Sequence, residues 1–387
     1  MTTSASPVPV PVREQDTALR QSLAHGPLGI TLLHVEHARE GRGSWQAVHR
    51  RLAAVGPLIY GDKAGLFLGA PAMAYVLHLT AADSNQYTGA LNTLDHIVAT
   101  HTRSRLEAAH TRIDQGQPTS FAEYDLLRGL TGLGALLLRR TPDGPELKSV
   151  LEYLVRLTEP LPGPDGCPRP GWWVGHNPVN VGTSTLDGHA NAGLAHGITG
   201  PLALLALAHL RGITLPGHQE AMLRICRWLD QIRVDDHRGT RWPRWTTDTT
   251  ESSMHPTAPS WCYGTPGLTR AQQLAALALG DTDRKRMAER ALLDCLADPL
   301  QLDQLTARGL CHGIGGLIRV VQRVAQDADE PATFTNFLAH LTERFLAAET
   351  PTEAGFLEGA AGAALAFQGI EADKAPASDW DVCLLLV

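Results

Sequence analysis

The chain has few aromatic residues, 5% of its 387 positions, and little charge, 19%. Aromatic and β-branched alternation is too scarce for a β-sandwich core. No apolar run reaches the roughly 18 residues that mark a membrane-crossing helix. There is no excess of positive charge: the formal net charge is −7, which excludes a basic field for nucleic acid or anionic lipid. No Cys-x-x-Cys pair occurs, which argues against a zinc ribbon or finger. The start, Met1 to Pro11, lacks the basic residues and apolar run of a signal peptide. Residues 1–12 are expected to be a disordered Pro-rich lead, and residues 13–387 a single domain. A reducing cytoplasm is the expected location, at most peripheral to a biosynthetic complex. There the six cysteines would be thiols or metal ligands rather than a disulfide framework.

What the chain does have is Leu, Ala and 37 glycines, with hydrophobic residues at 43%. That mix suits close-packed helices joined by glycine turns. One unit recurs: a short glycine turn followed by an apolar helix. The turns begin at Gly69, Gly129, Gly197, Gly264, Gly313 and Gly359. Periods of this size mark repeat architectures. The stretches after the turns, such as Leu202 to Leu207, are apolar on every face and belong inside. Between them lie amphipathic stretches, Glu146 to Leu157 and Arg284 to Leu293, which belong outside with charge toward solvent. An open stack of such units would expose its terminal repeats. The reading is therefore all-α: an α/α toroid, or α/α barrel, with the glycine turns gathered at one end. Glycine there permits close backbone approach and positive φ. An open solenoid of the TPR or HEAT kind fits less well, because its glycine signature differs.

Unusual residues stand just before several of these glycines: His196-Gly197, Cys262-Tyr263-Gly264 and Cys311-His312-Gly313. Another turn reads Asp125-Leu126-Leu127-Arg128-Gly129. If the turns converge, these side chains converge. Two thiolates and an imidazole together select zinc. Cys262, Cys311 and His312 would leave a fourth position open, as catalytic zinc sites do. Thiolate ligands suit activation of a bound thiol more than of water. His196 and Asp125 would move protons. The other cysteines, Cys167, Cys226, Cys295 and Cys383, read as small core residues. His189 fits either a surface or a site role.

These motifs resemble the lanthipeptide cyclases, the lanthionine synthetase C-like family. The matching stretches are Tyr124 to Gly132, Ala192 to Gly200, Trp261 to Gly267, Cys311 to Gly316 and Gly355 to Gly362. The resemblance implies a seven-fold α/α barrel with zinc on Cys262, Cys311 and His312. It implies addition of a peptide cysteine thiolate to dehydroalanine or dehydrobutyrine, closing a (methyl)lanthionine ring. His196 would protonate the enolate, Asp125 would assist it, and Trp261, Tyr263 and position 258 would line the cavity. The family usually carries Arg four residues before the turn cysteine; here that position is Ala258. The expected partners are a dehydrated precursor peptide, a separate dehydratase and a transporter. No dehydratase domain fits before residue 60, so the chain is expected to act alone. Competing readings are glutathione addition to dehydrated residues and a zinc-holding or weakly active escort, which Ala258 favours. An α/α-barrel glycosidase would need paired carboxylates instead.

Overall fold

The computed structural model describes residues 12–81, 86–163, 166–176, 188–248, 257–372 and 375–387. The expected lead lies outside these residues, except that Val12 already starts helix α1 (Val12–Arg20). Helices are numbered in chain order. Seven of them form an inner ring: α2 (Pro27–Arg39), α4 (Ala70–Ala81), α7 (Leu130–Arg140), α9 (Thr199–Leu210), α11 (Thr265–Leu279), α14 (Ile314–Asp327) and α16 (Ala360–Ala372). Each packs on the next, and α16 packs back on α2, so the ring is closed. Outside it lie α3 (Trp45–Ala53), α5 (Thr88–Asp114), α8 (Pro145–Leu157), α10 (His218–Ile232), α12 (Thr282–Ala297) and α15 (Pro331–Ala347). The short helices α6 (Phe121–Tyr124) and α13 (Pro299–Leu302) sit in connections.

The division follows from side-chain pattern. In α9 every residue from Thr199 to Ala208 is buried. In α8 only Leu147, Val150, Leu151, Tyr153, Leu154 and Leu157 are buried, on one face, while Lys148 and Glu152 are exposed. Each fully buried leucine contributes about 1.5–3 kcal/mol relative to exposure. Closure of the ring gives the inner helices a neighbour on both sides.

The seventh unit escaped the sequence reading. It is the turn His25-Gly26-Pro27-Leu28-Gly29, which opens α2. The glycine pattern located six turns, while the resemblance implied the seven units that the ring has. The role of the glycines also differs from expectation. Of the seven turn glycines only Gly69 has positive φ, +76°. Gly313 has φ −110°, and a Cβ there would lie 2.4 Å from the Gly309 backbone nitrogen. Close backbone approach, rather than handedness, is what demands glycine.

The α12 stretch turns Arg286 and Arg290 to solvent as expected, but two of its cations turn inward. Lys285 is buried and pairs with Asp329, and Arg284 Nη2 lies 2.5 Å from Asp230 Oδ2. These cations tie α12 to α10 and to the loop after α14.

The C-terminal segment fills the ring. Asp379 pairs with Arg139 at the end of α7, Tyr75 Oη donates to the Trp380 carbonyl (2.9 Å), and Trp261 Nε1 donates to the Leu384 carbonyl (3.0 Å). Asp381 is fully buried and accepts from Arg319 Nε (2.7 Å) and from Arg323 Nε and Nη2 (both 2.8 Å).

Candidate metal centre and proton-transfer pair

At each turn the side chain two before the glycine points into the packing, and the one directly before it is freer. Cys262 and Cys311 hold the first position and are buried; His196, Tyr263 and His312 hold the second. The turns of α11 and α14 are neighbours in the ring, which brings residues 49 positions apart together. The ligand atoms of Cys262, Cys311 and His312 lie within 4.8 Å of one another. Two thiols and an imidazole are the donor set that zinc prefers, so these three residues can hold it.

The local electrostatics suit a cation. Hydrogen bonding from Cys311 holds the Cys262 thiol well below its usual range, with His312 adding to the effect against the opposing cost of burial. The same pairing and burial push the Cys311 thiol up. His312 is pushed up to about 10, first by Cys262 and then by Glu358. A metal bound by these residues would take over the role of those protons.

Glu358 is the residue that sequence reasoning passed over. Its Oε1 accepts from His312 Nδ1 (2.7 Å) and from the His312 backbone N–H (3.1 Å). The carboxylate therefore sits behind the ring and leaves Nε2 for the cysteines, the arrangement by which an outer carboxylate orients a ligating histidine. The signal was present: Glu358 precedes Gly359, as His312 precedes Gly313.

The candidate proton-transfer pair, Asp125 and His196, lies on the next two turns of the ring. Asp125 Oδ2 lies 2.7 Å from His196 Nδ1. The other oxygen, Oδ1, accepts from the backbone N–H groups of Arg128 (2.7 Å) and Gly129 (2.8 Å) at the start of α7. A buried carboxylate so held is acceptor-only, so His196 donates through Nδ1 and Nε2 is left free. His196 stacks on Tyr263 at 5.9 Å between ring centroids, and Leu194 N–H donates to the Cys262 carbonyl (2.8 Å). The pair and the thiol cluster therefore sit on adjoining turns.

Arg244 joins them from elsewhere. Strands β1 (Ala190–Asn191) and β4 (Trp245–Thr246) pair antiparallel, and β2 (Val234–Asp236) with β3 (Gly239–Arg241) forms a hairpin before them. This docking sets the Arg244 guanidinium 3.7 Å above the Tyr263 ring. No sequence motif marks Arg244, because only the strand pairing brings it here.

Other expectations meet different outcomes. Trp261 is fully buried, with its indole donating to the Leu384 carbonyl. Ala258 is half-buried beside the core, and His255 lies outside the described residues. His189 is not in the thiol cluster. It is fully buried, its Nδ1 lies 3.0 Å from the His176 carbonyl, and burial pushes it down to about 4. Cys226, Cys295 and Cys383 are buried, but Cys167 is exposed.

The model of the family described as "Lanthionine synthetase C-like protein" matches residues 17–385. The chain belongs to the lanthionine synthetase C-like family. Among similar proteins is the nisin biosynthesis protein NisC of Lactococcus lactis subsp. lactis, 27% identical over 281 residues, covering 67% of this chain and 62% of that protein. The match thus spans less than two thirds of that relative. The solved structure of a nisin cyclase superposes with a TM-score of 0.79 at 20% identity, over 97% of this chain and 95% of that one. That likeness carries the fold of this lanthionine synthetase C-like chain, the closed α/α toroid. No helix among the described residues is long and apolar enough to cross a membrane.

Proposed function

We propose that the chain is a zinc-dependent lanthipeptide cyclase that closes thioether rings on a dehydrated precursor peptide. The observation that carries this is the adjacency of two sets: Cys262, Cys311 and His312 on one side, Asp125 and His196 on the next turns. Family membership and the likeness to NisC support it.

Zinc, when bound, lowers the pKa of a coordinated thiol while leaving its sulfur nucleophilic. The peptide sulfur then adds to the β-carbon of dehydroalanine or dehydrobutyrine, and the electron pair of the double bond moves to the α-carbon and its carbonyl as an enolate. His196 Nε2 takes up the proton released as the peptide thiol ionises and delivers it to the α-carbon. Asp125 holds Nδ1–H and stabilises the imidazolium between turnovers. The balance is one S–H added across one C=C. Tyr263 fixes the plane of His196 by stacking. Arg244, over Tyr263, is the cation best placed to favour the developing negative charge in a site without Arg at position 258.

Ala258 favours a second reading, a zinc-holding escort for the precursor with little chemistry of its own. Thiol alkylation separates the two, because ring closure leaves mass unchanged. Incubation with a dehydrated Cys-containing precursor should consume its free thiols. A metal-loaded protein that leaves them all free overturns the cyclase reading. A dehydratase and a transporter are the partners this activity would call for. Glutathione consumption by the same peptide would mark the addition of a free thiol instead.

A further inference from the structure

The turns of the ring are fastened to one another by a repeated backbone hydrogen bond. In each case an N–H two or three residues before one turn glycine donates to the carbonyl two residues before the next turn glycine. Leu23 donates to Phe67 (2.9 Å), Phe67 to Leu127 (3.4 Å), Leu126 to Ala195 (3.0 Å), and Leu194 to Cys262 (2.8 Å). Leu310 donates to Leu357 (2.7 Å) and Phe356 to Ala24 (2.8 Å). Six of the seven junctions are closed in this way.

The seventh is different. Between the turn of Gly264 and the turn of Gly313, no such bond joins the described residues. The acceptor there would be the Cys311 carbonyl and the donor the N–H of Trp261 or Cys262. The Gly264 turn is instead bent on itself, with Ser260 N–H donating to the Ala258 carbonyl (2.7 Å). At this same junction the residues two before the glycines are the two cysteines. At the other five turns that position holds Ala24, Phe67, Leu127, Ala195 or Leu357, which offer no side-chain donor atom. One junction has lost its backbone bond and gained two facing thiols.

We propose that the ion held by Cys262, Cys311 and His312 is also the seventh fastening of the ring, joining α11 to α14 where the backbone does not. The inference rests on the metal reading above and adds a second task to the site. A ring with one unfastened junction opens there first, because local opening follows the weakest set of bonds. The metal therefore couples the fastening of this junction to a competent site: α11 and α14 pack and pair lower down, through Arg270–Asp327 and Gln273–Val324, but at the turns the ligands are what would join them.

Hydrogen exchange read by mass spectrometry tests this on the full chain, before and after chelation, with metal content measured in both samples. Peptides covering residues 257–264 and 307–316 are expected to exchange roughly tenfold faster or more without metal. Peptides covering residues 20–29, 65–70, 124–132 and 192–200 should change little. Cys311→Ser should reproduce the chelated pattern with no chelator present. Stoichiometric metal loss with unchanged exchange at the two turns, or with an equal rise at all seven, overturns the fastening. A protein that binds no metal at all overturns the metal reading itself, whatever its exchange pattern.

Discussion

Asp125 serves His196 and the turn before helix α7 at once: Oδ2 lies 2.7 Å from His196 Nδ1, while Oδ1 accepts the N–H groups of Arg128 and Gly129. A carboxylate held by two backbone N–H groups of the turn before α7 cannot drift, so the imidazole it holds is fixed to the scaffold. Asp125→Asn offers one carbonyl oxygen for both tasks. Ring formation is expected to fall by on the order of 10²–10⁴-fold, and stability by about 1 kcal/mol. Steady-state thiol consumption and thermal melts of the same variant read the two losses separately.

Cys311→Ala removes one thiolate of the cluster. About one zinc per chain is expected in the unaltered protein, and close to none in the variant. Elemental analysis of the purified proteins measures this. A metal-free unaltered protein that takes up none on addition would remove the basis of the proposed chemistry.

Arg244→Ala and Ala258→Arg should move activity in opposite directions. Loss of a donor at a developing oxyanion costs roughly 10²–10³-fold in kcat. If Arg244 carries this task, its removal lowers kcat with little change in KM. Ala258→Arg added to Arg244→Ala should restore part of the loss. Equal activity in the unaltered protein and Arg244→Ala would show that the stacking on Tyr263 is structural alone.

Glu358→Gln keeps the hydrogen-bonding shape but removes the charge behind His312. Metal affinity, measured by chelator competition, should drop about 10–100-fold. Unchanged affinity would mean that the 2.7 Å contact does not tune the ligand.

Asp381→Asn strips the fully buried anion that pairs with Arg319 and Arg323 in the ring interior. Burial alone would raise its carboxyl, but the two guanidinium groups hold it below the usual range. Leaving both cations short of a partner is expected to cost about 3–5 kcal/mol. Denaturant unfolding measures the loss.

His189 supplies the acid sensitivity. Its folded-state pKa is about 4, against 6.5 unfolded, because burial opposes its charge. Between those values the unfolded chain binds a proton that the folded chain refuses, so stability rises with pH across the window and is lost as pH falls toward 4. His78, lowered to about 4 with burial as the largest cause, adds in the same sense. His189→Gln should flatten the dependence of melting temperature on pH between about 6.5 and 4.

Much of this was legible in the residues. The glycine turns and the apolar runs behind them pointed to inner helices, and the Cys and His residues beside those glycines marked where chemistry would gather. Both are local properties: a run apolar on every face must be buried wherever the chain goes. Glu358 was legible in principle, since it holds the same register as His312.

What the tertiary structure alone decided lies across long separations. That α16 packs on α2, and so makes the count seven, depends on closure of the whole ring. Trp261 became a core residue because the chain end, 123 positions away, runs up to meet its indole. Lys285 pairs with Asp329 on the loop after α14, a partner that no local pattern records. Arg244 reached Tyr263 only through a strand pairing two residues long. Periodicity records which face of a segment is buried. It carries no record of what that face will meet, because the partner is chosen by the global packing of the other helices.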